Sequence, residues 1–323
     1  MDDKVPASAG PPPAPSAITV LGLSRSFGEV RAVNHVDLRV GRGDVFGLLG
    51  PDGAGKSTLI RMLATVLSPD DGDAEVLGHS ITRAPGLVTP GIGYMAQRFS
   101  LYPDLTVAEN LDFFARIRGV PRAARRQRAD QLLTGLGLAA FAGRQAQHLS
   151  GGMKQKLMLA VTLMHEPEVL LLDEPTTGVD PLSRREFWRI LAELNADGTT
   201  VLVATPYMDE AERCTAIAFL DAGRIRHQGT PLQIKSLVPG TLLEVIAADP
   251  RGALEAAQSS PGTVAAHLRG DQVRVLWRHD EASDGPASLR AVVSAAGIPV
   301  EDVRAVAVDL ESAFAFLMEG AAP

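Results

Sequence analysis

The sequence predicts an α/β fold, with apolar strands alternating with helices through most of the chain and a smaller α+β unit after it. Three observations carry that expectation. The apolar run Val45–Leu49 leads into a glycine-rich turn at 50–58 and then into the helix-like Leu59-Ile60-Arg61-Met62-Leu63. Residues 169–172 and Thr200–Ala204 are apolar almost throughout, as strands buried on both faces of a parallel sheet are, whereas half-buried strands alternate. Beyond residue 238 short apolar runs and helical stretches follow the order β-α-β-β-α-β, that of a split βαβ domain.

Taken in order, residues 1–16, with Pro11-Pro12-Pro13-Ala14-Pro15, are small, proline-rich and non-periodic, the composition of a flexible tail. Strands are expected at 18–21 and 32–38 about a Phe27-Gly28 turn, then at Val45–Leu49. The helix after the glycine-rich turn is stopped by Ser68-Pro69-Asp70-Asp71-Gly72, and strands follow at 74–77 and Ile92–Met95. From 107 to 146 the texture becomes helical, with Thr106 placed as an N-cap. Residues 116–128 carry a run of arginines on a helical, alanine-rich background. A solvated helix face is the ordinary reading of such a run, and contact with nucleic acid or lipid headgroups the other. After the strand at 169–172 come a helix at 187–194, the strand Thr200–Ala204, a helix at 208–213 and a hairpin about Asp221-Ala222-Gly223. This bounds an α/β core at 17–232 with a mostly helical insert at about 106–165. In the unit at 238–323, strands are expected at 242–247, 263–268, Gln272–Trp277 and 303–308, with helices at Pro250–Gln258, 286–296 and 310–318. It shows no phosphate loop, metal cluster or catalytic set; Trp277 and the group Phe314, Phe316 and Leu317 read as core.

A chain of 323 residues, 46% of them apolar, suffices for one large domain and a smaller one. No apolar run reaches the roughly 20 residues of a membrane span, and the first fifteen residues lack the basic start and apolar centre of a signal peptide. The single cysteine, Cys214, excludes an internal disulfide framework and fits a reducing compartment. A net charge of -7 argues against wholesale nucleic-acid coating.

The turn itself reads Gly50-Pro51-Asp52-Gly53-Ala54-Gly55-Lys56-Ser57-Thr58, the pattern G-x-x-x-x-G-K-[ST] between a strand and a helix, which is a phosphate-binding loop. Glycines allow the tight path, and N–H groups at the helix start point at phosphate oxygens. Lys56 is expected to bridge the β- and γ-phosphates and Ser57 to place its hydroxyl on Mg²⁺. Downstream, a buried apolar strand ends in Asp173 and Glu174. Asp173 is placed to hold Mg²⁺ jointly with Ser57, and Glu174 to polarise water for in-line attack.

The ordered set of 50–58, Gln97, Leu149-Ser150-Gly151-Gly152-Met153-Lys154-Gln155, 169–174 and Gly178-Val179-Asp180 resembles the nucleotide-binding (ATPase) subunit of an ATP-binding-cassette transporter across residues 17–232. The Leu-Ser-Gly-Gly block is its most discriminating element, since generic phosphate-loop ATPases lack it. The resemblance implies a P-loop NTPase cassette whose helical insert carries this signature, with ATP and Mg²⁺ as ligands. It also implies two cassettes head to tail with ATP between them. Ser150, Gly151 and Gly152 would start a helix facing the γ-phosphate on the opposite cassette, a placement that suits a helix N-terminus. Asp180 would cross the interface, and can cap its own helix at the same time. Gln97 would touch Mg²⁺ or the attacking water and relay to the transport subunit. Phe27 matches the aromatic that stacks on adenine, with plain packing as the alternative; Phe99, Leu101 and Tyr102 either receive a short permease helix or belong to the core.

Two positions depart from the family pattern. Asp52 stands where asparagine is usual, for which a mild effect is expected. Pro206 stands where the family carries a histidine that contacts the γ-phosphate, and none of the seven histidines lies in that segment. Proline has neither side-chain donor nor N–H, so about 2–4 kcal/mol of transition-state stabilisation is at stake unless Glu174 and Gln97 suffice.

By resemblance, the chain is an ATPase (ATP and water to ADP and phosphate) at the cytoplasmic face of the membrane. It would be held there by a separate integral-membrane permease and paired with a second cassette, itself or a paralogue. Residues 102–110, 174–181, 208–212 and 309–317 resemble export-type subunits, which favours efflux of drug-like or lipid-like cargo; no nucleic-acid partner is expected. Two other readings remain. One is a hydrolytically impaired cassette acting as an ATP-dependent clamp. The other is a soluble ribosome- or DNA-associated ATPase, though such chains usually hold two cassettes or a coiled-coil insertion.

Overall fold

The computed structural model describes residues 16–278 and 285–319, which fall into two units, the first ending at Gln228 and the second beginning at Gly229. The expected proline-rich tail lies, up to residue 15, outside the described residues, and Ser16 already belongs to a strand.

The first unit begins with β1 (Ser16–Phe27), β2 (Val30–Gly41), β3 (Val45–Leu49), α1 (Lys56–Leu63), β4 (Asp71–Val76), β5 (His79–Ser80), α2 (Pro85–Val88) and β6 (Ile92–Met95). The insert contributes α3 (Val107–Ile117), α4 (Arg122–Gly135) and α5 (Gly151–Leu163). The α/β pattern resumes with β7 (Val169–Asp173), α6 (Pro181–Ala196), β8 (Thr200–Ala204), α7 (Met208–Ala211), β9 (Ala216–Asp221) and β10 (Arg224–Gly229). One sheet has the order β2-β1-β4-β5, and its neighbouring strands are antiparallel. The other has the order β10-β9-β3-β8-β7-β6, with β9, β3, β8, β7 and β6 running parallel.

The uniformly apolar runs take the central positions of the parallel sheet. Every residue of β3, β7 and β8 is buried, which explains why none of them alternates. A side chain such as Phe46, fully buried here, contributes about 2–3 kcal/mol by leaving water. Because the strands are parallel, their C-terminal ends share one edge, and the chain leaves β3 and β7 there for the glycine-rich turn and for Glu174.

In the insert, Thr106 caps α3 through a capping box: its hydroxyl accepts from the Glu109 N–H at 3.2 Å, and the Glu109 carboxylate accepts from the Thr106 N–H at 2.8 Å. The arginine run does not lie on one helix. Gly119, with φ 71, ends α3, and Pro121, with fixed φ and no N–H, becomes the N-cap of α4. Arg116 and Arg125 pair with Asp112, and Arg128 pairs with Glu166.

The second unit holds α8 (Pro231–Ser236), β11 (Thr241–Ala247), α9 (Pro250–Gln258), β12 (Thr263–Arg269), β13 (Gln272–Trp277), α10 (Gly285–Ala295), β14 (Val300–Ala305) and α11 (Leu310–Glu319). Its antiparallel sheet has the order β12-β13-β11-β14, the interleaving of a split βαβ motif. Leu243, Val245, Val273 and Val275 meet Ala253, Ala257, Leu289 and Val293 of the helices in one core, with Trp277. Phe316 is buried, while Phe314 and Leu317 are only half so. The last strand lies earlier than its apolar residues suggest. Its ladder to β11, from Leu243 opposite Ala305 to Ala247 opposite Val300, sets its extent. Among the described residues no helix is long and apolar enough to cross a membrane.

Candidate nucleotide site

The glycine-rich turn joins β3 to α1 by a path that needs glycine at its tightest points. Gly55, the N-cap of α1, has φ 108, and a Cβ there would lie 2.1 Å from the Ala32 carbonyl oxygen. The N–H groups of the first helical turn lack intrahelical acceptors, and residues 52–58 line a pocket of about 420 Å³. Phe27, Ala32, Gln97 and Glu174 complete that lining. Asp52 is exposed, and Phe27 is 49% exposed with the Arg25 guanidinium 5.2 Å from its ring centre.

Lys56 is buried and its ammonium donates to the Gly50 carbonyl at 2.8 Å and the Pro51 carbonyl at 3.0 Å, so the loop closes around its own lysine. The Ser57 hydroxyl donates to Asp173 Oδ1 at 2.8 Å. Asp173 Oδ2 is buried and has no hydrogen-bond partner among the described residues. Burial raises the Asp173 carboxyl above its usual range, opposed by the Ser57 hydrogen bond and by Arg61 and Lys56. A hydroxyl beside an orphaned carboxylate oxygen is a hard-donor arrangement that suits Mg²⁺.

Glu174 leaves β7 with φ 49, a left-handed conformation that costs about 1–3 kcal/mol in a residue other than glycine. Its N–H donates to the Ala204 carbonyl of the neighbouring strand at 3.0 Å, which holds the turn. Its side chain then faces the loop. Oε2 accepts from Gln97 Nε2 at 2.8 Å and from the Thr177 hydroxyl at 3.2 Å, and Oε1 lies 3.8 Å from Lys56 Nζ. A carboxylate, a buried ammonium and a divalent-cation donor pair beside a phosphate-sized loop can activate water against a bound polyphosphate.

The family model described as ABC transporter matches residues 33–177. The probable multidrug ABC transporter ATP-binding protein YbhF of Escherichia coli is 40% identical over 95% of this chain, which spans 53% of that relative's length. The daunorubicin resistance ATP-binding protein DrrA3 of Streptomyces coeruleorubidus is 40% identical over 90% of this chain and 92% of its own. The chain belongs to the ABC transporter ATP-binding proteins. Among solved structures, a dimeric ATP-binding cassette in a post-hydrolysis state with ADP and Pi is 26% identical with a TM-score of 0.60, covering 66% of this chain and 98% of its own.

Not every expected residue of the ABC cassette lines the pocket. Gly50, Pro51, Asp173, Ser150, Gly151, Gly152, Asp180 and Pro206 are absent from its lining. Ser150 is exposed and caps α5 by accepting from the Met153 N–H at 3.3 Å. Gly152 packs against the start of α6, where a Cβ would come 2.6 Å from Ser183 Oγ. Asp180 caps α6 by accepting from the Ser183 N–H at 2.9 Å, and that bond holds its carboxyl below the usual range. Leu101 is buried; Tyr102 is half exposed, edge-on to Phe113 with ring centres 4.9 Å apart.

Sequence reasoning overlooked the threonines about Glu174. Thr177 touches the carboxylate directly, and Thr176 and Thr205 are buried in the loops that leave β7 and β8. The signal available was the doublet Thr176-Thr177 following Asp173-Glu174-Pro175: polar residues where the chain has just left a buried strand need partners.

Proposed function

We propose that this chain binds and hydrolyses ATP as one cassette of a head-to-tail pair, and that closure of the pair drives export through a separate membrane permease. The observation that carries the hydrolytic reading is the Glu174 carboxylate, held by Gln97 and Thr177 and facing the buried Lys56 across 3.8 Å. Lys56 binds the β- and γ-phosphates. Glu174 takes a proton from water as the water oxygen bonds to the γ-phosphorus; the bond from that phosphorus to the bridging oxygen breaks, and ADP and phosphate leave. Ser57 Oγ and Asp173 Oδ2 offer oxygen donors for Mg²⁺, which when bound neutralises charge on the phosphates. Gly50, Pro51, Asp52, Gly53, Ala54, Gly55 and Thr58 form the cradle, and Phe27 offers its half-exposed ring to the base.

Pairing is supported by the exposed Ser150 at the start of α5, outside the pocket of its own chain, and by the dimeric cassette that this fold resembles. The partner's Ser150-Gly151-Gly152 segment and Asp180 then complete the phosphate site. Efflux of drug-like or lipid-like cargo is supported by the multidrug, daunorubicin-resistance and Nod-factor-export names of the relatives. The permease places the chain at the cytoplasmic membrane face.

Pro206, half-buried and outside the pocket lining, favours a second reading in which turnover is slow and ATP acts mainly as a clamp. ATP turnover measured with and without a co-expressed permease separates the two. Under the main reading the assembled complex hydrolyses ATP, and Glu174→Gln retains Mg²⁺-ATP binding while turnover falls at least about a hundredfold. Nucleotide binding with no turnover in any assembly favours the clamp, and wild-type turnover in Glu174→Gln overturns the role given to that residue.

A further inference from the structure

Glu210 lies on α7, outside the loop pocket, and is 1% exposed. A carboxylate so deeply buried is costly unless its oxygens are satisfied. Both are. Oε1 accepts from the Thr176 hydroxyl at 2.6 Å and Oε2 from the Thr205 hydroxyl at 2.6 Å. Thr176 follows Glu174 by two residues at the exit of β7; Thr205 is the first residue past β8. The two strands are neighbours, with Asp173 opposite Ala204. One carboxylate therefore ties together the two loops that leave adjacent strands beside the reacting centre.

The tie extends on each side. Thr176 is flanked by Thr177, whose hydroxyl donates to the Glu174 carboxylate. The Thr205 hydroxyl also accepts from the Tyr207 N–H at 3.1 Å, which fixes the chain around Pro206. Arg184 of α6, the helix that Asp180 caps, places its Nε 3.7 Å from Glu210 Oε1, its Nη2 2.9 Å from Asp209, and its guanidinium 4.6 Å from the Tyr207 ring centre. The loop after β7, the loop after β8 and the Asp180 helix thus meet at one buried anion.

We propose that Glu210 is a positioning residue for the ATPase reaction, holding residues 174–177 and the Pro206 loop in one register so that the Glu174 carboxylate stays directed at the loop pocket. Glu210 touches no reacting atom; it acts through Thr176 and the backbone next to Glu174. The inference rests on the hydrolytic reading of Glu174 for its catalytic consequence, and on the hydrogen bonds alone for its structural one.

Glu210→Gln keeps the shape but puts an NH2 donor in place of one acceptor oxygen and removes the charge, so one threonine hydroxyl loses its acceptor and the other its charge-assisted bond. Two measurements on the full chain test the proposal. Backbone hydrogen exchange across residues 174–180 should quicken at least about threefold in Glu210→Gln and in Thr176→Val, stay unchanged in Thr176→Ser, and stay unchanged across β3 in all of them. Steady-state turnover should fall at least about tenfold in kcat in Glu210→Gln and Thr176→Val with KM for ATP held, and Thr176→Ser should restore it. The double variant should lose less than the product of the two single losses, because both act on the Thr176–Glu210 link. Exchange at 174–180 unchanged in Glu210→Gln overturns the proposal, even if the chain proves not to hydrolyse ATP. So does a loss confined to KM. Quickened exchange in a chain whose Glu174→Gln variant hydrolyses normally leaves the tie standing and removes the role given to Glu174.

Discussion

Replacing Gly55 by alanine strikes the phosphate loop at its tightest point. The residue has φ +108, and the added Cβ would sit 2.1 Å from the Ala32 carbonyl oxygen, a backbone atom in β2. To reach 3.0 Å, the closest approach that real Cβ atoms show, loop and strand must part by 0.9 Å. The left-handed backbone costs about 1–2 kcal/mol with a Cβ present. Forced separation of packed backbone adds about 1–3 kcal/mol. Gly53→Ala is the internal control: its φ is +81, but nothing lies within 4 Å of its Cβ, so it bears only the backbone cost. Calorimetric melts of the two variants should place Gly53→Ala about 2–8 °C below wild type and Gly55→Ala about 2–12 °C lower still. Because Ala32 and Gly55 both line the pocket, Gly55→Ala should also weaken ATP binding more than Gly53→Ala does. If the two variants melt together and bind nucleotide equally, the close approach of loop to strand is not what requires glycine at 55.

Two further outcomes follow from the same site. Pro206→His, which introduces a side-chain donor beside the buried Thr205, should raise kcat at least about tenfold; unchanged turnover would mean that Glu174 and Gln97 already supply what this position lacks. Burial raises the Asp173 carboxyl above the usual carboxylate range, so the folded chain holds that proton more tightly than the unfolded one, and the group lowers stability as pH rises through the window just above that range. Asp173→Asn should therefore raise the melting temperature of the nucleotide-free protein at neutral pH, with the gain shrinking on acidification below that window, while Mg²⁺-dependent ATP binding is lost; a melting temperature lowered at neutral pH would contradict it.

The loop, the apolar strands and the order of motifs were legible because each is local. Val45–Leu49 and Thr200–Ala204 are buried end to end, and a run without alternation says so before any partner is known. Thr106 could be read as a cap because an N-cap acts within one turn of its own helix, where the structure adds Glu109 as the second half of the box. The helix break at Gly119 and Pro121 was equally local and was written over by the arginines around it.

Residue order supplies the groups available to the chemistry: a lysine loop, a carboxylate pair at the end of a buried strand, and a serine-glycine helix start. Which of them meet depends on how the strands pack. Parallel packing of β7 against β8 sets Glu174 beside Ala204, turns its side chain onto Gln97 and Thr177, and brings Glu210 between Thr176 and Thr205. Thr176 and Glu210 are 34 residues apart, and Gln97 and Glu174 are 77. Hydrogen bonds over such separations leave no period in the sequence; they exist because parallel strands joined by helical crossovers bring distant strand ends to one edge of the sheet.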